Sequence, residues 1–596
     1  MLTPEGAHAT NAMNPANATA SPVDRAALQG GRRRLIFVTN RGPVEYTFGA
    51  DGTAQPQAGA GGVVSGLLSA ARERPVSWIS VAMTDADRAV AKSLDGATLA
   101  MPHELSYLAP RLVYLPEATY RQYYDGISNR LLWFAQHGLP HADIARSPQT
   151  RAAWAGYVAA NRALAETVIA ELDTCETAPP VMFHDYHLYL APAMVRERVP
   201  EARLAHFVHI PWPSVERWAD VPEEMVRAIY RGLAAVDVLG FQTARDVHNF
   251  LDGAAHFLPG VFISRDPDEL RWRGRRTLVR AYPIAVTPSE VRAAADTPAA
   301  RGQLRPLREH LGLDLGRKLI VRVDRVEPTK NIVRGFAAYE QLLAAHAEWH
   351  GRVVFLALLV PSRESVGEYQ AYAEDVERSI ARVNARFGDD GWQPIVALYG
   401  NDRGRALACM RDYDVLLVNS LADGMNLVVK EGGLVNRRDG VIVLSDRAGA
   451  YAQLHRGVLG VRPTDVEATA GALVRALEMS SEERRLRAQQ VRDVLEREDA
   501  STWLGRQLAD LMRVTGFPTM SAPFAPNALS HADLDPPRAS YLVPDALAAR
   551  GATKLAFGAA GPAIRLSRSP RETIPLDDVT FPTGSDVGDL DSASMG

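Results

Sequence analysis

The stretch DVLLVNSLADGMNLVVKEG, residues 414–432, has the pattern of one strand, one loop and one helix. Its first part is a continuous apolar run, typical of a strand that is covered on both faces of a parallel sheet. Four polar residues then crowd around an otherwise apolar segment: Asp423, Asn426, Lys430 and Glu431. In open α/β sheets ligands bind where the strands end, so this junction is a candidate binding site.

The polar groups of this junction are suited to phosphates and sugars. Backbone N–H groups near Met425 to Leu427 can bond a phosphate or a sugar, because the first N–H groups of a helix have no partners within it. Asp423 can accept hydrogen bonds from sugar hydroxyls, and Glu431 can hold a ribose diol. The helix dipole alone favours an acid near the start of a helix, but it does not explain the other three polar residues.

Strand and helix patterns of the same kind alternate along the chain in two series. Strands are predicted at 34–40, 76–82, 181–185, 204–210 and 236–242, and again at 318–324, 353–360, 395–400, 415–419 and 440–445. Helical patterns lie between them, including 153–172, 333–347, 364–387 and 481–511. This alternation predicts an α/β protein with two Rossmann-like, doubly wound domains.

The domain boundaries follow from a hinge near 281–291 and from the composition of the ends. The N-terminal domain is predicted at 33–285 and the C-terminal domain at 286–516, with the final helix returning toward the N-terminal domain. Residues 1–32 are rich in Ala, Asn, Pro and Gly and are predicted to be disordered, as is most of 517–596.

The bulk properties of the chain exclude several classes of protein. Its 596 residues, 47% hydrophobic and 23% charged, are typical of a globular protein of two or more domains. The net charge of −4 gives no basic field for nucleic acid. No apolar run is long enough for a membrane span, and no signal peptide is expected. Two cysteines, Cys175 and Cys409, exclude a disulfide scaffold and suit the reducing cytoplasm.

The strand ends of the N-terminal series carry candidate residues. Arg41 follows the first strand, and Asp185 and His209 follow two later ones. Because the ends of parallel strands meet at one edge of a sheet, Asp185 and His209 point into the same crevice. A zinc site would use similar residues, but the spacing matches no familiar zinc motif, so no metal is expected. Gly61 and Gly62 directly precede an apolar helix, which favours an anion site over a plain turn.

The strand ends of the C-terminal series carry cations. In RVDRVEPTKN, residues 322–331, Arg325 and Lys330 lie on a loop that enters a helix. Two cations at a helix N-terminus suit a diphosphate, because charge-assisted hydrogen bonds add to the helix dipole. Arg363 reaches the next strand end in the same way, although a single basic residue on a loop is more often only solvated.

These segments, in this order, resemble the trehalose-6-phosphate synthase family, and most of all its actinobacterial branch. The family consists of retaining glycosyltransferases of the GT-B architecture, with two Rossmann-like domains facing across a cleft. The resemblance spans 34–512 and is carried by NRGPV, GAGGVVSGL, YYDGISNRLLW, HDYHL, HIPWPS, RVDRVEPTKNIVRGF, PSR and DGMNLVVKE.

The resemblance implies transfer of glucose, with retention of configuration, from a nucleotide-glucose to glucose 6-phosphate. The product would be α,α-trehalose 6-phosphate, for trehalose biosynthesis and stress protection. UDP-glucose is the expected donor, with GDP- and ADP-glucose left open. The leaving phosphate would take the proton of the acceptor on the same face, with no protein nucleophile, cofactor or metal. Relatives are often dimers or tetramers, so a homo-oligomer is left open.

By position, the resemblance also implies two sets of binding residues. The nucleotide-sugar would be bound by Gly61, Gly62, Arg325, Lys330, Asp423, Met425, Asn426, Leu427, Val428, Val429, Lys430 and Glu431. The sugar-phosphate acceptor would be bound by Arg41, Tyr124, Trp133, Asp185 and Arg363. The catalytic set would be His209, Asp423, Arg325 and Lys330, with His209 in contact with the donor glucose.

Departures from the family pattern keep further functions open. Ala285 stands where the family usually has glycine, and Glu327, Pro328 and Asn331 depart from the usual DYTKG form. HIPWPS and TKN are also similar to validoxylamine-phosphate synthases, which are pseudo-glycosyltransferases acting on cyclitols. A glycerol 3-phosphate acceptor, as in glucosylglycerol-phosphate synthases, and a catalytically silent regulatory subunit also stay open. The residues after 516 are too few for the phosphatase domain of some relatives, so none is expected.

Overall fold

A computed structural model describes residues 35–516, apart from 60–61, 72–73, 100, 102–104, 303 and 364–365. The segments predicted to be disordered, 1–32 and 517–596, and the candidate Gly61 lie outside the described residues. All the described residues belong to one compact unit of the chain. Within the described part of the chain, no helix combines the length and the apolar character that a bilayer crossing needs.

The strands of the described chain form two large sheets and one small hairpin. They are β1 Leu35–Thr39, β2 Val44–Phe48, β3 Ala54–Ala58, β4 Val76–Val81, β5 Leu108–Val113, β6 Val181–His184, β7 Leu204–Phe207, β8 Val238–Phe241, β9 Phe262–Arg265, β10 Asp268–Trp272, β11 Arg275–Ala281, β12 Lys318–Arg325, β13 Val353–Val360, β14 Ile395–Tyr399, β15 Val415–Val418, β16 Val441–Ser445 and β17 Leu459–Val461.

Helices lie between most of these strands and cover both faces of the sheets. The α-helices of the described chain span Gly62–Ala71, Asp85–Leu94, Glu117–Arg121, Trp133–Gln136, Ala142–Arg146, Pro148–Asp173, Ala191–Arg198, Glu223–Leu233, Ala244–Phe257, Pro288–Ala295, Pro298–Gly302, Leu304–His310, Ile332–Ala345, Gly367–Phe387, Arg403–Cys409, Leu427–Val435, Tyr451–Leu454, Val466–Glu478, Ser481–Leu495 and Ala500–Val514. A π-helix, Gln122–Leu132, joins two of them.

The sheet topology confirms the predicted fold class. The first sheet has the order β5-β4-β1-β6-β7-β8-β11-β10-β9, and the second has the order β14-β13-β12-β15-β16-β17. All neighbouring strands within these two sheets are parallel except β9–β10 and β10–β11. Each sheet begins at a central strand, β1 or β12, and the chain adds strands first on one side and then on the other. This reversal leaves a crevice beside the starting strand of each doubly wound domain.

All ten predicted strands are present, but the predictions were incomplete at the edges of the sheets. The hairpin β2–β3, strand β5, the antiparallel extension β9–β10–β11 and the three-residue β17 were not predicted. These strands are short or carry polar residues on an open face, so they lack a continuous apolar run. The single helical pattern at 481–511 was wrong, because the side chain of Asp499 accepts a hydrogen bond from Thr502 N and starts a second helix at Ala500.

The two domains touch directly through backbone at Gly424. A Cβ atom on Gly424 would lie 1.8 Å from the carbonyl oxygen of His209, so only glycine permits this approach. On the other side, a Cβ atom on Gly449 would lie 1.8 Å from the carbonyl oxygen of Gly424. An ion pair between Arg130 and Glu368, 2.7 Å apart, adds a second link between the domains.

The last helix, Ala500–Val514, leaves the C-terminal domain and packs against the N-terminal one. The indole of Trp503 stacks edge-on against Phe207 of β7, with ring centroids 5.0 Å apart. Its Nε1 donates to the carbonyl oxygen of Tyr282 at 3.0 Å. The hydroxyl of Tyr282 in turn donates to Asp510 at 2.6 Å.

Lys430 fixes the start of this returning segment to the linker between the domains. Its fully buried ammonium donates to the carbonyl oxygen of Ile284 at 2.8 Å and to Glu498 at 2.6 Å. The prediction that Lys430 binds a ligand is therefore contradicted, because its side chain points to the linker. The neighbouring Ala285, which departs from the family pattern, is buried in the cleft wall beside this contact.

We expect Lys430→Met to lower the free energy of unfolding by about 3–5 kcal/mol, because the largely buried carboxylate of Glu498 would lose its fully buried cation. Urea denaturation followed by circular dichroism measures this change. Arg305→Met is the control, since it breaks an exposed ion pair with Glu309 and should change the free energy by less than about 1 kcal/mol. A similarly small change for Lys430→Met would contradict the role of Lys430. The double variant with Glu498→Gln should recover part of the loss.

Candidate functional site

A cleft of about 1260 Å³ lies between the two domains. It is formed by the carboxyl ends of β1, β6 and β7 on one side and of β12 and β13 and the loop after β15 on the other. The candidate residues that line it are Arg41, Gly62, Tyr124, Trp133, Asp185, His209, Arg325, Lys330, Arg363, Asp423, Met425, Asn426, Leu427, Val428 and Glu431. The fold therefore brings together strand-end residues that are far apart in the chain.

Val429 and Lys430 are the described candidates that do not line the cleft. Val429 is fully buried in the core, and its N–H donates to Asn426 Oδ1 at 3.2 Å. Because a helix turns once in about 3.6 residues, 427, 428 and 431 share one face while 429 and 430 lie on another. The prediction that the whole run faces the ligand was wrong for this reason.

Lys330 and Asp423 form a close ion pair in the cleft wall, with Nζ and Oδ2 2.5 Å apart. Burial opposes the charge of Lys330, but Asp423 and Glu327 outweigh it and raise its pKa. Burial likewise opposes the charge of Asp423, but Lys330 and a hydrogen bond from Asn426 lower its pKa. Both groups are therefore ionised and are held in place before any ligand arrives.

Arg322, which was not among the predicted site residues, holds the loop that carries Lys330. Its guanidinium is fully buried and donates to the carbonyl oxygen of Lys330 at 3.0 Å and to Asn419 Oδ1 at 3.1 Å. It also pairs with Asp324 at 2.9 Å, which compensates its charge. The signal in the sequence was a single arginine inside the apolar run of β12, where a charge needs a buried partner.

Glu327 joins the candidate arginines of the two binding sets. Its fully buried carboxylate lies 3.1 Å from Arg325 and 3.5 Å from Arg363, and it accepts a hydrogen bond from Thr329 at 3.0 Å. Burial would raise the pKa of Glu327, but Arg325 and Arg363 lower it, so the carboxylate stays ionised. In the sequence, Glu327 stood out only as a departure from the family pattern.

The other two departures in this loop also have a structural role. Asn331 has a left-handed backbone, φ 57°, a conformation that asparagine tolerates better than most residues. Its Nδ2 donates to the carbonyl oxygens of Asn419 at 2.9 Å and Pro463 at 2.7 Å. Pro328 opens the short 3₁₀ turn that contains Lys330. These residues fix the loop rather than face a ligand.

The indole of Trp133 lies under both arginines. The guanidinium carbons of Arg363 and Arg325 lie 4.1 Å and 5.4 Å from its ring centroid, which places both within cation–π range. His137 stacks on the same ring at 4.1 Å. His137 was not predicted from the sequence, because a lone histidine after a helical segment carries no recognisable pattern.

Arg363, Arg41 and Tyr124 of the acceptor set each have partners within the protein. Burial opposes the charge of Arg363, but the neighbouring Tyr186, Tyr369 and Glu327 raise its pKa, so it stays charged. Its guanidinium donates to the hydroxyl of Tyr186 at 3.2 Å. Arg41 pairs with Glu45 at 3.3 Å, and Tyr124 stacks on His187 with ring centroids 5.8 Å apart.

Asp185 has a strained backbone at the end of β6. Its φ of 74° and ψ of 174° belong to a region that residues other than glycine rarely adopt. Its N–H donates to the carbonyl oxygen of Phe207 at 2.8 Å, and its Oδ1 accepts from His209 N at 3.2 Å. Burial raises the pKa of Asp185 to about 7, although nearby hydrogen bonds and Arg363 oppose the rise. Strain and a raised pKa together are typical of functional sites.

His209 is neutral and is held by a second histidine. Burial lowers the pKa of His209 to about 3, and burial also lowers the pKa of His184. The Nε2 of His209 lies 3.3 Å from the Nδ1 of His184, so one neutral ring donates to the other.

At the far end of the cleft, Glu431 accepts hydrogen bonds from Arg403 at 2.7 and 3.0 Å.

No group of three or more His, Cys, Asp or Glu side chains could hold a metal ion within the ranges that the structure describes. The cleft instead concentrates cations. Arg41, Arg325, Lys330 and Arg363 line it from both domains, together with hydrogen-bonding side chains and one large aromatic ring. This arrangement suits two anionic, sugar-bearing ligands that meet in one place.

Comparison with known proteins relates this cleft to a group of enzymes. Residues 33–513 match the profile of glycosyltransferase family 20. A bifunctional trehalose-6-phosphate synthase/phosphatase of Thermoproteus tenax is 33% identical over 481 residues, which are 79% of this chain and 62% of that protein. A validamine 7-phosphate valienyltransferase of Streptomyces hygroscopicus subsp. jinggangensis is 30% identical over 482 residues, 80% of this chain and 94% of that protein.

Solved structures agree with these relatives. An α,α-trehalose-phosphate synthase (UDP-forming) from Burkholderia xenovorans, in complex with glucose-6-phosphate, superposes with a TM-score of 0.69. It is 31% identical, and the alignment covers 80% of this chain and 100% of that one. The chain nevertheless spans only 47–62% of the length of four curated relatives that it matches.

We expect Asp185→Asn to stabilise the protein increasingly as the pH rises from about 4 to about 7. The folded protein keeps the Asp185 proton up to a pKa of about 7, whereas the ordinary value is 3.8. The stability contributed by that proton is complete below the ordinary pKa and is lost as the pH passes through the folded value. Asparagine stays neutral at every pH, so the variant loses no stability at this position as the pH rises.

The measurement is the free energy of urea unfolding of both proteins at several pH values between about 4 and 9. The difference between them should grow up to about pH 7 and then level off. Asp252→Asn, at an exposed ion pair with Arg265, is the surface control. A pH-independent difference for Asp185→Asn would show that the carboxyl group is not protonated in the folded protein.

Proposed function

The chain belongs to glycosyltransferase family 20, and on that premise we propose that it transfers glucose from a nucleotide-glucose to glucose 6-phosphate. The product is α,α-trehalose 6-phosphate. UDP-glucose is the proposed donor, since the solved Burkholderia xenovorans relative is named as UDP-forming. The observation that carries the proposal is the presence of two groups of cations in one cleft, joined by Glu327 and Trp133.

The donor is proposed to lie along the C-terminal wall of the cleft. Arg325 and Lys330 bind its diphosphate, together with the N-terminus of the helix that begins at Leu427. Asp423 accepts hydrogen bonds from the glucose hydroxyls. Glu431 faces the cleft one turn into the helix and holds the ribose.

The acceptor is proposed to lie between the carboxyl ends of β1 and β6 and the indole of Trp133. Arg41 and Arg363 bind its phosphate, and Tyr124 lies beside them in the cleft wall. Asp185 accepts hydrogen bonds from the sugar hydroxyls. Asp185 lines the cleft at the end of β6, and its carboxyl group accepts from the N–H of His209, which follows β7.

In the proposed reaction, the bond between the anomeric carbon and the leaving phosphate oxygen breaks while the acceptor hydroxyl attacks from the same face. The hydroxyl proton passes to the leaving phosphate oxygen, so no protein carboxylate acts as nucleophile. Arg325 and Lys330 stabilise the charge that develops on the diphosphate. The backbone contact of Gly424 with His209 joins the two domains beside the cleft. The proposed reaction uses no cofactor and no metal ion.

A pseudo-glycosyl coupling is the second candidate. The valienyltransferase relative matches over 94% of its own length, and its name says that it acts on a phosphorylated aminocyclitol. The same cations would hold a cyclitol nucleotide and an aminocyclitol phosphate, so only the product separates the two functions.

The proposed place of action is the cytoplasm, where both unpaired cysteines stay reduced.

We expect the purified protein to form a 1,1-linked α,α-disaccharide phosphate from UDP-glucose and glucose 6-phosphate. Parallel reactions contain GDP-glucose or ADP-glucose as donor, glycerol 3-phosphate as acceptor, or a cyclitol nucleotide with an aminocyclitol phosphate. Mass spectrometry and NMR identify the product and its linkage. A product only from the cyclitol pair would replace the first function by the second, and nucleotide binding without any product would favour a regulatory subunit.

We expect Arg325→Ala to lower kcat by about 10²–10³, because the leaving diphosphate loses a fixed cation that is worth roughly 3–4 kcal/mol in the transition state. Steady-state kinetics with the identified substrates measures this loss, and circular dichroism checks the fold. Arg382→Ala is the matched control, since that arginine forms an exposed pair with Glu340 away from the cleft. Activity of Arg325→Ala equal to that of the control would remove the diphosphate role.

A further inference from the structure

His137 lies in the cleft wall directly after the helix Trp133–Gln136. Its Nδ1 is 2.8 Å from the carbonyl oxygen of Trp133. A carbonyl oxygen can only accept a hydrogen bond, so Nδ1 carries the ring proton. The stacking on the Trp133 indole fixes the plane of the imidazole as well. Both the tautomer and the orientation of the ring are therefore set by its surroundings.

The imidazole of His137 is neutral. Burial lowers its pKa to about 4, although the Trp133 carbonyl group, Asp423 and Glu327 oppose this shift. A neutral ring with its proton on Nδ1 has only a lone pair on Nε2, so that atom can accept a hydrogen bond but cannot donate one.

The Nε2 atom of His137 has no hydrogen-bond partner within the described part of the chain. This unpaired atom is not closed off from solvent, so it reaches the surface of the cleft. The charged groups nearest to the ring already have partners. Lys330 is paired with Asp423, and Glu327 with two arginines. An uncharged acceptor thus lies open beside the proposed glucose site.

We propose that Nε2 of His137 accepts a hydrogen bond from a hydroxyl of the donor glucose. The inference rests on the proposed function, which places that glucose beside Lys330 and Asp423. A sugar hydroxyl is the donor that such a site selects, because an unprotonated ring nitrogen attracts an O–H group and does not bind a phosphate oxygen. His137 is then a residue that contacts the glucosyl unit rather than only its phosphates.

A purely structural role makes a different prediction. His137 ends a helix, and Gly138 follows in the left-handed conformation with φ 66°, a common way for a helix to stop. In that case the Nδ1–H bond to Trp133 would be the whole function of the ring. The two roles use different nitrogen atoms, so they can be separated by substitution.

The experiment compares His137→Asn and His137→Gln with the wild-type protein. The amide nitrogen of asparagine can replace Nδ1 and keep the bond to Trp133, but nothing replaces Nε2. The longer glutamine can place its amide oxygen near the position of Nε2. Isothermal titration calorimetry without acceptor measures the Kd values of UDP-glucose and of UDP for each protein. GDP- or ADP-glucose and its nucleotide are used if the product assay identifies that donor.

We expect His137→Asn to weaken UDP-glucose binding by about fivefold relative to UDP, the effect of one lost hydrogen bond. His137→Gln should recover at least part of this ratio. An unchanged ratio of the two Kd values, in an asparagine variant that circular dichroism shows to be folded, would overturn the proposal. Unfolding of a variant would also weaken both affinities together, and circular dichroism distinguishes it from the loss of a single contact.

The deoxy-glucose donors provide a second readout that a structural role would not move. If one hydroxyl bonds to Nε2, the donor that lacks this hydroxyl should bind the wild-type protein and His137→Asn with the same affinity. If His137→Asn weakened the binding of the 2-, 3-, 4- and 6-deoxy donors by the same factor relative to the wild-type protein, the contact would be overturned. A wild-type protein that binds no nucleotide-glucose at all would instead reject the proposed function, and this inference with it.

Discussion

The pairing of buried charges is the constraint on which the whole cleft depends. A charged side chain that is removed from water needs a partner of opposite charge, and each buried cation beside the cleft has one. Glu327 pairs with the buried Arg363 and also with the half-exposed Arg325, Asp423 pairs with Lys330, and a further, largely buried carboxylate pairs with the lysine at the linker. These anions fix the cations in advance, so a ligand phosphate meets a preorganised site rather than a set of mobile side chains.

The same pairing ties the two proposed substrates to each other. Arg325 belongs to the donor set and Arg363 to the acceptor set, yet both contact the carboxylate of Glu327 and the indole of Trp133. A shift of one guanidinium therefore changes the environment of the other. This arrangement gives a physical reason for the glutamate in the loop RVDRVEPTKN, which in the sequence is only a departure from a family pattern.

Much of the fold was predictable, because its central strands are continuous apolar runs. The strand-end residues were predictable for the same reason: once two parallel sheets are inferred, Asp185 must lie at the carboxyl edge of the first sheet and Arg325 and Arg363 at that of the second. Side-chain direction was not predictable in the same way. Lys430 sits on the far face of its helix, and His137 joins the site only through the packing of Trp133. Such contacts arise from tertiary structure and leave no local pattern in the sequence.

Gly424, at the contact between the domains, and Gly449, packed behind it in the C-terminal domain, show how backbone packing restricts the evolution of this chain. At each position an added methyl group would meet a backbone oxygen, not a side chain. A clash with a side chain can be relieved by replacing that side chain, but a carbonyl group is present in every amino acid. No substitution of the neighbouring residue can therefore remove the clashing oxygen. A larger residue at either glycine cannot be compensated by a second substitution within the contact. Most packing defects can be compensated by a smaller neighbouring side chain, but a defect at these two glycines cannot.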